Sequence, residues 1–449
     1  MRGAKMDADI IVVGAGASGL MAAGRAAECG ARVLILEKTD ALGQKLLVSG
    51  KTRCNVTNIA ELPRFIDMYG TNGRFLYGAF HRFFRPELLA FFKRYGLNTK
   101  AERGGRIFPV SDDARDVVEV FRKYLDAHKV RVVFDAQVTA IHCARHPFFT
   151  VKTPRHKYLS SGVILAAGGS SWPATGSAGD GCKIAAKMGH TIINLRPALV
   201  PLMVREQRLA QSMQGVSLRN VRAAAFQGRA EEIDATFMPR EDYGRGETKK
   251  TKPPLIESRF GEMLFTHFGL GGPIILLMSL SVVDALQNGP VSILIDLKPA
   301  LSAEQLANRL QRNLNTHGKR KVAGIMKEYL PAKMIDPVIA LAGIQGDTPA
   351  HQVAATQRSK IVETLKALRF NIKSPLPLAR AIVTAGGVSL GEIDPRTMAS
   401  QKVPGLFFCG EVMDIDADTG GYNLQAAFST GYVAGQSAAE FINSLDVNR

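Results

Sequence analysis

The sequence is short of acids, with 40 Asp and Glu against 57 Lys and Arg, a formal net charge of +17. That imbalance favours a polyanionic partner or an acidic surface and carries no information about fold. Cysteine is also scarce. Cys29, Cys54, Cys143, Cys182 and Cys409 form no CxxC pair and no metal-ligand spacing, so a disulfide framework and a bound metal are not expected. No apolar run is long enough to span a bilayer: the most apolar stretch, residues 273–286, is short and interrupted by serine. The start of the chain runs from a short basic tail into an apolar strand without a signal-type segment, which points to the cytoplasm and to no membrane partner. Repeats at solenoid spacing are absent as well.

What is present begins at once. Residues 9–13 read as a buried strand, followed by Gly14-Ala15-Gly16-Ala17-Ser18-Gly19, a helical stretch over 20–30, and a second strand over 32–36 that ends in Glu37. This is a complete dinucleotide fingerprint. Gly14 makes the tight turn, Gly16 admits the pyrophosphate, Gly19 lets the helix pack, and Glu37 takes the ribose hydroxyls. The helix N-terminus adds unpaired N–H groups and a dipole that favours phosphate.

Later segments indicate which dinucleotide is held. After Glu37 and Lys38, residues 43–58 form a long polar and glycine-containing run that includes Lys45, Gly50, Lys51, Arg53, Cys54 and Asn55. Such a run suits an extended flavin cofactor better than a nicotinamide. A strand over 163–166 leads into Ala167-Gly168-Gly169, where small residues let the backbone pass close to a ligand. Another strand ends in Gly410-Glu411, and Gly421-Tyr422-Asn423-Leu424 opens the last long helix, kept slim by Ala426, Ala427, Gly431, Ala434 and Gly435. That helix start favours the negative charge of a reduced flavin. No second GxGxxG follows a strand, so NAD(P)H is expected only as a transient reductant.

Together with Ser49-Gly50-Lys51-Thr52-Arg53-Cys54-Asn55, residues 261–269 (GEMLFTHFG), Thr384-Ala385-Gly386-Gly387-Val388 and Gly420-Gly421-Tyr422-Asn423, these motifs resemble the YhiN/BaiN-like family of FAD-dependent oxidoreductases over nearly the whole chain. The resemblance implies an α/β fold: a split Rossmann-like FAD-binding domain with an inserted β-barrel-like domain and a small helical domain. The expected boundaries are 1–195 and 391–449 for the FAD domain, 196–300 for the barrel, 301–373 for the helices and 374–390 for a return strand of the barrel. Within the insert, 199–204, 216–226, 264–267 and 291–297 read as strands, and 302–314, 319–330, 332–342 and 351–368 as helices. Residues 237–257 read as a polar, mobile insertion.

The family is associated with reduction of uridine to dihydrouridine in large-subunit ribosomal RNA, reduction of steroid enones and oxidation of aminoacetone. Both reductions deliver hydride to a C=C bond conjugated to a carbonyl and need a proton donor. Cys54 and His267 are the candidate catalytic acids, and Lys51, Asn55 and Asn423 candidate hydrogen-bonders. Charge bears on the substrate. Residues 301–373 hold 12 Lys and Arg against 5 Asp and Glu, and residues 74–131 hold 13 against 7. Lys319-Arg320-Lys321 is the sharpest cluster, and Arg82-Phe83-Phe84-Arg85 interleaves cations with aromatics as a single-strand binder would. The leading expectation is an rRNA-modifying reductase whose partner is ribosomal RNA or a pre-ribosomal particle. The alternatives are a small-molecule flavoenzyme and an RNA-binding assembly factor that retains FAD.

Overall fold

The structure is a computed structural model that describes residues 6–145, 148–244 and 253–447. The chain divides into two compact units, residues 1–196 with 382–449, and residues 197–381.

The first unit is built on a five-stranded parallel sheet in the order Leu406–Phe408, Gly162–Leu165, Ile10–Val13, Val33–Leu36, Arg131–Val133. Strand Ile10–Val13 lies in the middle and is apolar at every position because both faces are covered. Helices Ala17–Glu28 and Tyr422–Val447 pack together along their small residues. A Cβ on Gly431 would overlap the carbonyl oxygen of Ser18, and one on Gly435 that of Ala22. The glycines and alanines of the last helix thus let two backbones touch. Two three-stranded antiparallel sheets are added at the periphery, one from Thr57–Asn58, Arg106–Pro109 and Thr99–Ala101 and one from Ala140–Arg145, Phe148–Lys152 and Lys157–Ser160.

The second unit is a closed antiparallel barrel. Its strands run Leu202–Val204, Gly269–Gly271, Leu255–Phe265, Ser217–Gln227, Val291–Asp296 and Leu368–Pro375, which pairs back onto Leu202–Val204. Closure removes the edges that a six-stranded sheet would otherwise expose. The apolar helix Pro273–Ala285 is largely buried against the barrel. Helices Ala303–Thr316, Val322–Met326, Ala332–Leu341 and Ala355–Lys366 enter between the last two strands. Ser302 caps the first of them: its hydroxyl accepts from Gln305 N–H, and the Gln305 side chain accepts from Ser302 N–H, a box contributing about 1 kcal/mol.

The expected boundaries need three corrections. The helices of 301–373 are not a separate domain, because Leu306, Leu310, Leu314, Ile325 and Leu365 share one apolar core with barrel residues such as Ile293 and Phe370. The barrel's return strand is Leu368–Pro375, whereas Val383–Val388 pairs with Ile192–Ala198 outside the barrel. The insertion is also shorter than 237–257. Asp242 pairs with Arg222 at 2.7 Å, Tyr243 and Ser258 exchange backbone hydrogen bonds, and strand Leu255–Phe265 already includes residues 255–257. Residues 245–252 of that expected insertion lie outside the described residues.

Candidate functional site

The turns at Gly14–Gly19, Ala167–Gly169 and Gly410–Glu411 follow the carboxyl ends of the parallel strands Ile10–Val13, Gly162–Leu165 and Leu406–Phe408, where open α/β sheets bind ligands. Gly14 leaves strand Ile10–Val13 with φ +102°, and a Cβ there would sit 2.7 Å from Ala166 O. Gly16 precedes helix Ala17–Glu28 and faces open space, with no atom within 4 Å of a Cβ built on it. Gly19 allows no Cβ at all, since it would overlap Gly14 O. The three glycines therefore turn, leave room and pack, in the order the fingerprint requires. The helix has no side-chain cap, so its first N–H groups, those of Ala17, Ser18 and Gly19, remain donors for an anion. Glu37 is buried and holds the turn: one oxygen accepts from Ala15 N–H at 2.6 Å, the other from Thr39 N–H and Oγ1–H at 2.8 Å each. Lys38 turns away to Asp180, at 2.8 Å.

The second stretch of the site joins four segments distant in sequence. Glu411 Oε2 receives Lys45 Nζ at 2.6 Å, while its Oε1 accepts from Thr384 N–H at 2.8 Å and from Ser171 Oγ–H at 3.2 Å. Lys45 also reaches Ser171 Oγ at 2.8 Å. Gly169 sits against this network, with room for no side chain: a Cβ would lie 2.5 Å from Thr384 Oγ1. Glu411 is thus already neutralised by Lys45. Ser171 and Thr384 were missed as members, although Thr384 opens one of the quoted motifs and Ser171 closely follows Gly169.

The third stretch is strained. Gly50, Lys51, Thr52 and Cys54 all have φ between +56° and +68°, three of them non-glycine residues, a conformation that persists only where surroundings enforce it. Arg53 is part of that enforcement. Its guanidinium grips Glu102 through two bonds of 3.0 and 2.8 Å, meets Asp112 at 3.0 Å and stacks 4.0 Å from the Phe108 ring centroid. Arg53 is therefore committed to protein partners and is not a free cofactor ligand. Cys54 is fully buried, and burial pushes its thiol up to about 12. It belongs to the core and has no surface from which to protonate a substrate, contrary to its expected role as acid. The Oδ1 of Asn55, next along the chain, is a buried acceptor without a partner.

The last helix is clamped onto this loop. Thr57 Oγ1–H donates to Gln425 Oε1 at 2.6 Å, Gln425 Nε2–H to Ser429 Oγ at 3.0 Å, and Ser429 Oγ–H to Phe83 O at 2.6 Å. Gly421, at φ +97°, is in backbone contact with Thr57. Tyr422 is buried against Phe65, and its carbonyl accepts from Tyr69 OH. Asn423 commits its side chain to the backbone of Ala417, accepting from its N–H and donating to its O, both at 2.9 Å. What the helix start offers a ligand is its backbone: the N–H groups of Tyr422, Asn423 and Leu424 precede the first helical bond, Gln425 N–H to Gly421 O.

The basic candidates separate into two kinds. Phe83 is buried and stacks on Tyr432 at 4.4 Å, while Phe84 packs on Phe65 and Phe80. Arg85 donates to the carbonyls of Asn58 and Ala60, and Arg82 to that of Arg396. The Arg82–Arg85 stretch is core and scaffold, not a stacking platform. Lys319, Arg320 and Lys321, in contrast, are exposed and form no ion pair among the described residues. His267 lies exposed on the turn between strands Leu255–Phe265 and Gly269–Gly271, where Thr266 and Gly269 exchange hydrogen bonds; its ring meets Phe268. Among the described residues no helix is long and apolar enough to cross a membrane, and no group of three His, Cys, Asp or Glu is placed to hold a metal.

The HI0933-like protein Rossmann domain family matches residues 8–437. The chain belongs to this family. Its members are the FAD-dependent oxidoreductases that the motifs resemble. Curated relatives carry two kinds of name. The 3-dehydro-bile acid delta(4,6)-reductase of Clostridium scindens is 32% identical over 96% of this chain and 98% of its own. The ribosomal RNA dihydrouridine synthase of Escherichia coli is 29% identical over 95% of this chain and 97% of its own. Among solved structures, a 3-ketosteroid-delta4-(5alpha)-dehydrogenase from Rhodococcus jostii RHA1 aligns over 98% of both chains with a TM-score of 0.50 at 14% identity, a likeness of fold. The HI0933-like family therefore fixes the architecture and the oxidoreductase class and leaves the substrate open.

Proposed function

We propose that this HI0933-like protein is an FAD-dependent reductase that saturates a C=C bond conjugated to a carbonyl, with uridine of large-subunit ribosomal RNA as substrate and 5,6-dihydrouridine as product. The observation that carries the choice of substrate is the uncompensated charge of the inserted helices, with Lys319, Arg320 and Lys321 exposed and without an ion pair among the described residues. An apolar sterol gains nothing from such a surface, whereas a polyphosphate backbone is drawn to it.

The residues present fit FAD. Open space at Gly16, the uncapped helix behind it and the orphaned Asn55 Oδ1 are what a bound dinucleotide would fill and satisfy. Gly14, Ala15, Gly16, Ala17, Ser18 and Gly19 would hold the diphosphate, with Glu37 at the ribose. Ala167, Gly168 and Gly169 would let the backbone lie alongside, Gly410 and the Lys45–Glu411 pair would border the middle of the cofactor, and Gly50 and Asn55 would line its far part. FAD held there would supply the hydride, with NAD(P)H as the proposed transient reductant. The N-terminus of helix Tyr422–Val447 favours negative charge close to it. Cys54, sealed in the core, is not placed to deliver the proton to the uracil C5. The 32% identity to a bile acid reductase supports a second reading, reduction of a small-molecule enone by the same electronic logic.

Mass spectrometry of ribosomal RNA from a deletion strain tests the first reading. Loss of one dihydrouridine, restored by the purified protein with NAD(P)H, is expected. An unchanged dihydrouridine inventory together with rapid turnover of a 3-oxo-Δ4 steroid would replace it by the second.

A further inference from the structure

The join between helices Ala303–Thr316 and Val322–Met326, together with His351, borders an open surface cavity of about 670 Å³ lined by Thr316, His317, Gly318, Lys319, Arg320 and His351. Its wall carries an ammonium, a guanidinium and two imidazoles, and no carboxylate. Nor does it carry an aromatic hydrocarbon ring or a large aliphatic side chain, so it is built neither for a sterol nor for stacking a base.

The backbone of this loop holds its shape. Gly318 O accepts both His351 N–H, at 3.1 Å, and His351 Nδ1–H, at 2.7 Å, which orients the ring and leaves Nε2 for another partner. Arg320 N–H bonds to His317 O at 2.8 Å, Ala350 N–H to Arg320 O at 2.9 Å, and Lys321 bridges Pro349. The main chain that carries the cations is thus fixed by its own bonds, without acidic side chains paired to them among the described residues. Lys319 and Arg320 stay exposed and unpaired among the described residues, a concentration of like charge that an anion would relieve.

We infer that this cavity anchors a backbone phosphate of RNA, with Lys319 and Arg320 as its charged contacts and His317, His351 and the Thr316 hydroxyl as hydrogen-bonding partners. The contact is to phosphate and is blind to base sequence, so it sets position and register while the choice of uridine is made elsewhere. The inference rests on the RNA reading above.

The test uses the full chain and a fluorescein-labelled short single-stranded RNA, with anisotropy measured over a series of salt concentrations. Lys319→Ala/Arg320→Ala should bind several-fold more weakly, with a log–log salt slope shallower by about 1.4, since each cation removed changes the slope by roughly 0.7 on a single strand. Lys319→Arg/Arg320→Lys, which keeps both charges, should bind as the wild type does. Lys327→Ala/Lys373→Ala removes the same charge from exposed positions elsewhere on the unit and should leave the slope nearly unchanged. Equal weakening by the two alanine pairs would overturn the site in favour of diffuse charge. A wild type that forms no dihydrouridine while Lys319→Ala/Arg320→Ala still binds RNA more weakly sinks the functional reading and leaves the site standing. A double variant that binds and modifies RNA normally does the reverse.

Discussion

Replacing Gly431 by alanine sets two effects of known sign against each other. Alanine is the better helix former by about 1 kcal/mol, so on propensity alone the substitution stabilises helix Tyr422–Val447. Against this, the new Cβ overlaps Ser18 O and lies 3.1 Å from the carbonyl carbon of the same residue. Overpacking of that kind costs about 1–3 kcal/mol, and the upper end applies because the obstacle is backbone and cannot rotate away. The net expectation is a loss of about 2 kcal/mol. For a unit of this size that lowers the thermal midpoint by about 4–8 °C. Ser18 also lies in the first turn of the helix that follows the fingerprint, so relief of the clash must shift Gly14–Gly19, and the FAD content of the purified protein should fall with the midpoint. The comparison is Gly324→Ala, in helix Val322–Met326, where no atom lies within 4 Å of the added Cβ; stability should be unchanged or higher by up to about 1 kcal/mol. Thermal unfolding by circular dichroism with absorbance of released flavin reads both variants. A Gly431→Ala protein that melts at or above the wild type, with full flavin, would refute the backbone-contact argument.

Other outcomes follow from the site. Glu37→Ala should yield protein largely without FAD, since the carboxylate that fixes Ala15 and Thr39 is gone; an unchanged flavin-to-protein absorbance ratio would count against the fingerprint assignment. Cys54→Ala should change turnover of the RNA substrate by less than about threefold, because a thiol sealed in the core cannot act as the general acid, whose loss would cost about 10² or more. Thiol labelling of the native protein should modify exposed Cys143 and spare Cys54, Cys182 and Cys409, whose thiols burial pushes up to about 12, 11 and 12; rapid native labelling of Cys54 would contradict its burial. Burial works against ionisation of Glu392, but Lys402 at 2.7 Å and the N–H and hydroxyl of Thr191 outweigh it and hold the carboxyl at about 2, below the usual 4.5. A group depressed on folding lends stability that is complete above pH 4.5 and lost as pH falls toward 2. The thermal midpoints of the wild type and Glu392→Gln should therefore differ at about pH 6 and converge near pH 2.

The sequence by itself determined the chain's beginning and its family. The fingerprint lies within one strand, one turn and one helix, so each glycine's task follows from local geometry, and Gly14, Gly16 and Gly19 perform those tasks in the structure. The small residues of the last helix were likewise legible as a close-packing face, because helical spacing puts Gly431 and Gly435 on one side. The Ser302 capping box is local in the same way, since it joins residues only three apart.

Only the tertiary structure decided how charged and polar side chains are used. Arg53, Asn423 and Glu411 have the right chemistry for cofactor contacts, but each finds partners within the protein: Glu102 and Asp112 for Arg53, Ala417 for Asn423, Lys45 and Thr384 for Glu411. Burial had the same effect on Cys54 and on Phe83, whose sequence neighbourhoods suggested an acid and a stacking platform. Domain limits too depended on long-range pairing, since Leu368–Pro375 closes a barrel and Val383–Val388 does not, although both are short strands. The physical reason is common to all of them. Backbone conformation and helical packing faces are set by near neighbours in the chain, whereas the partner of a charge, the accessibility of a thiol and the mate of a strand are set by residues that only folding brings near.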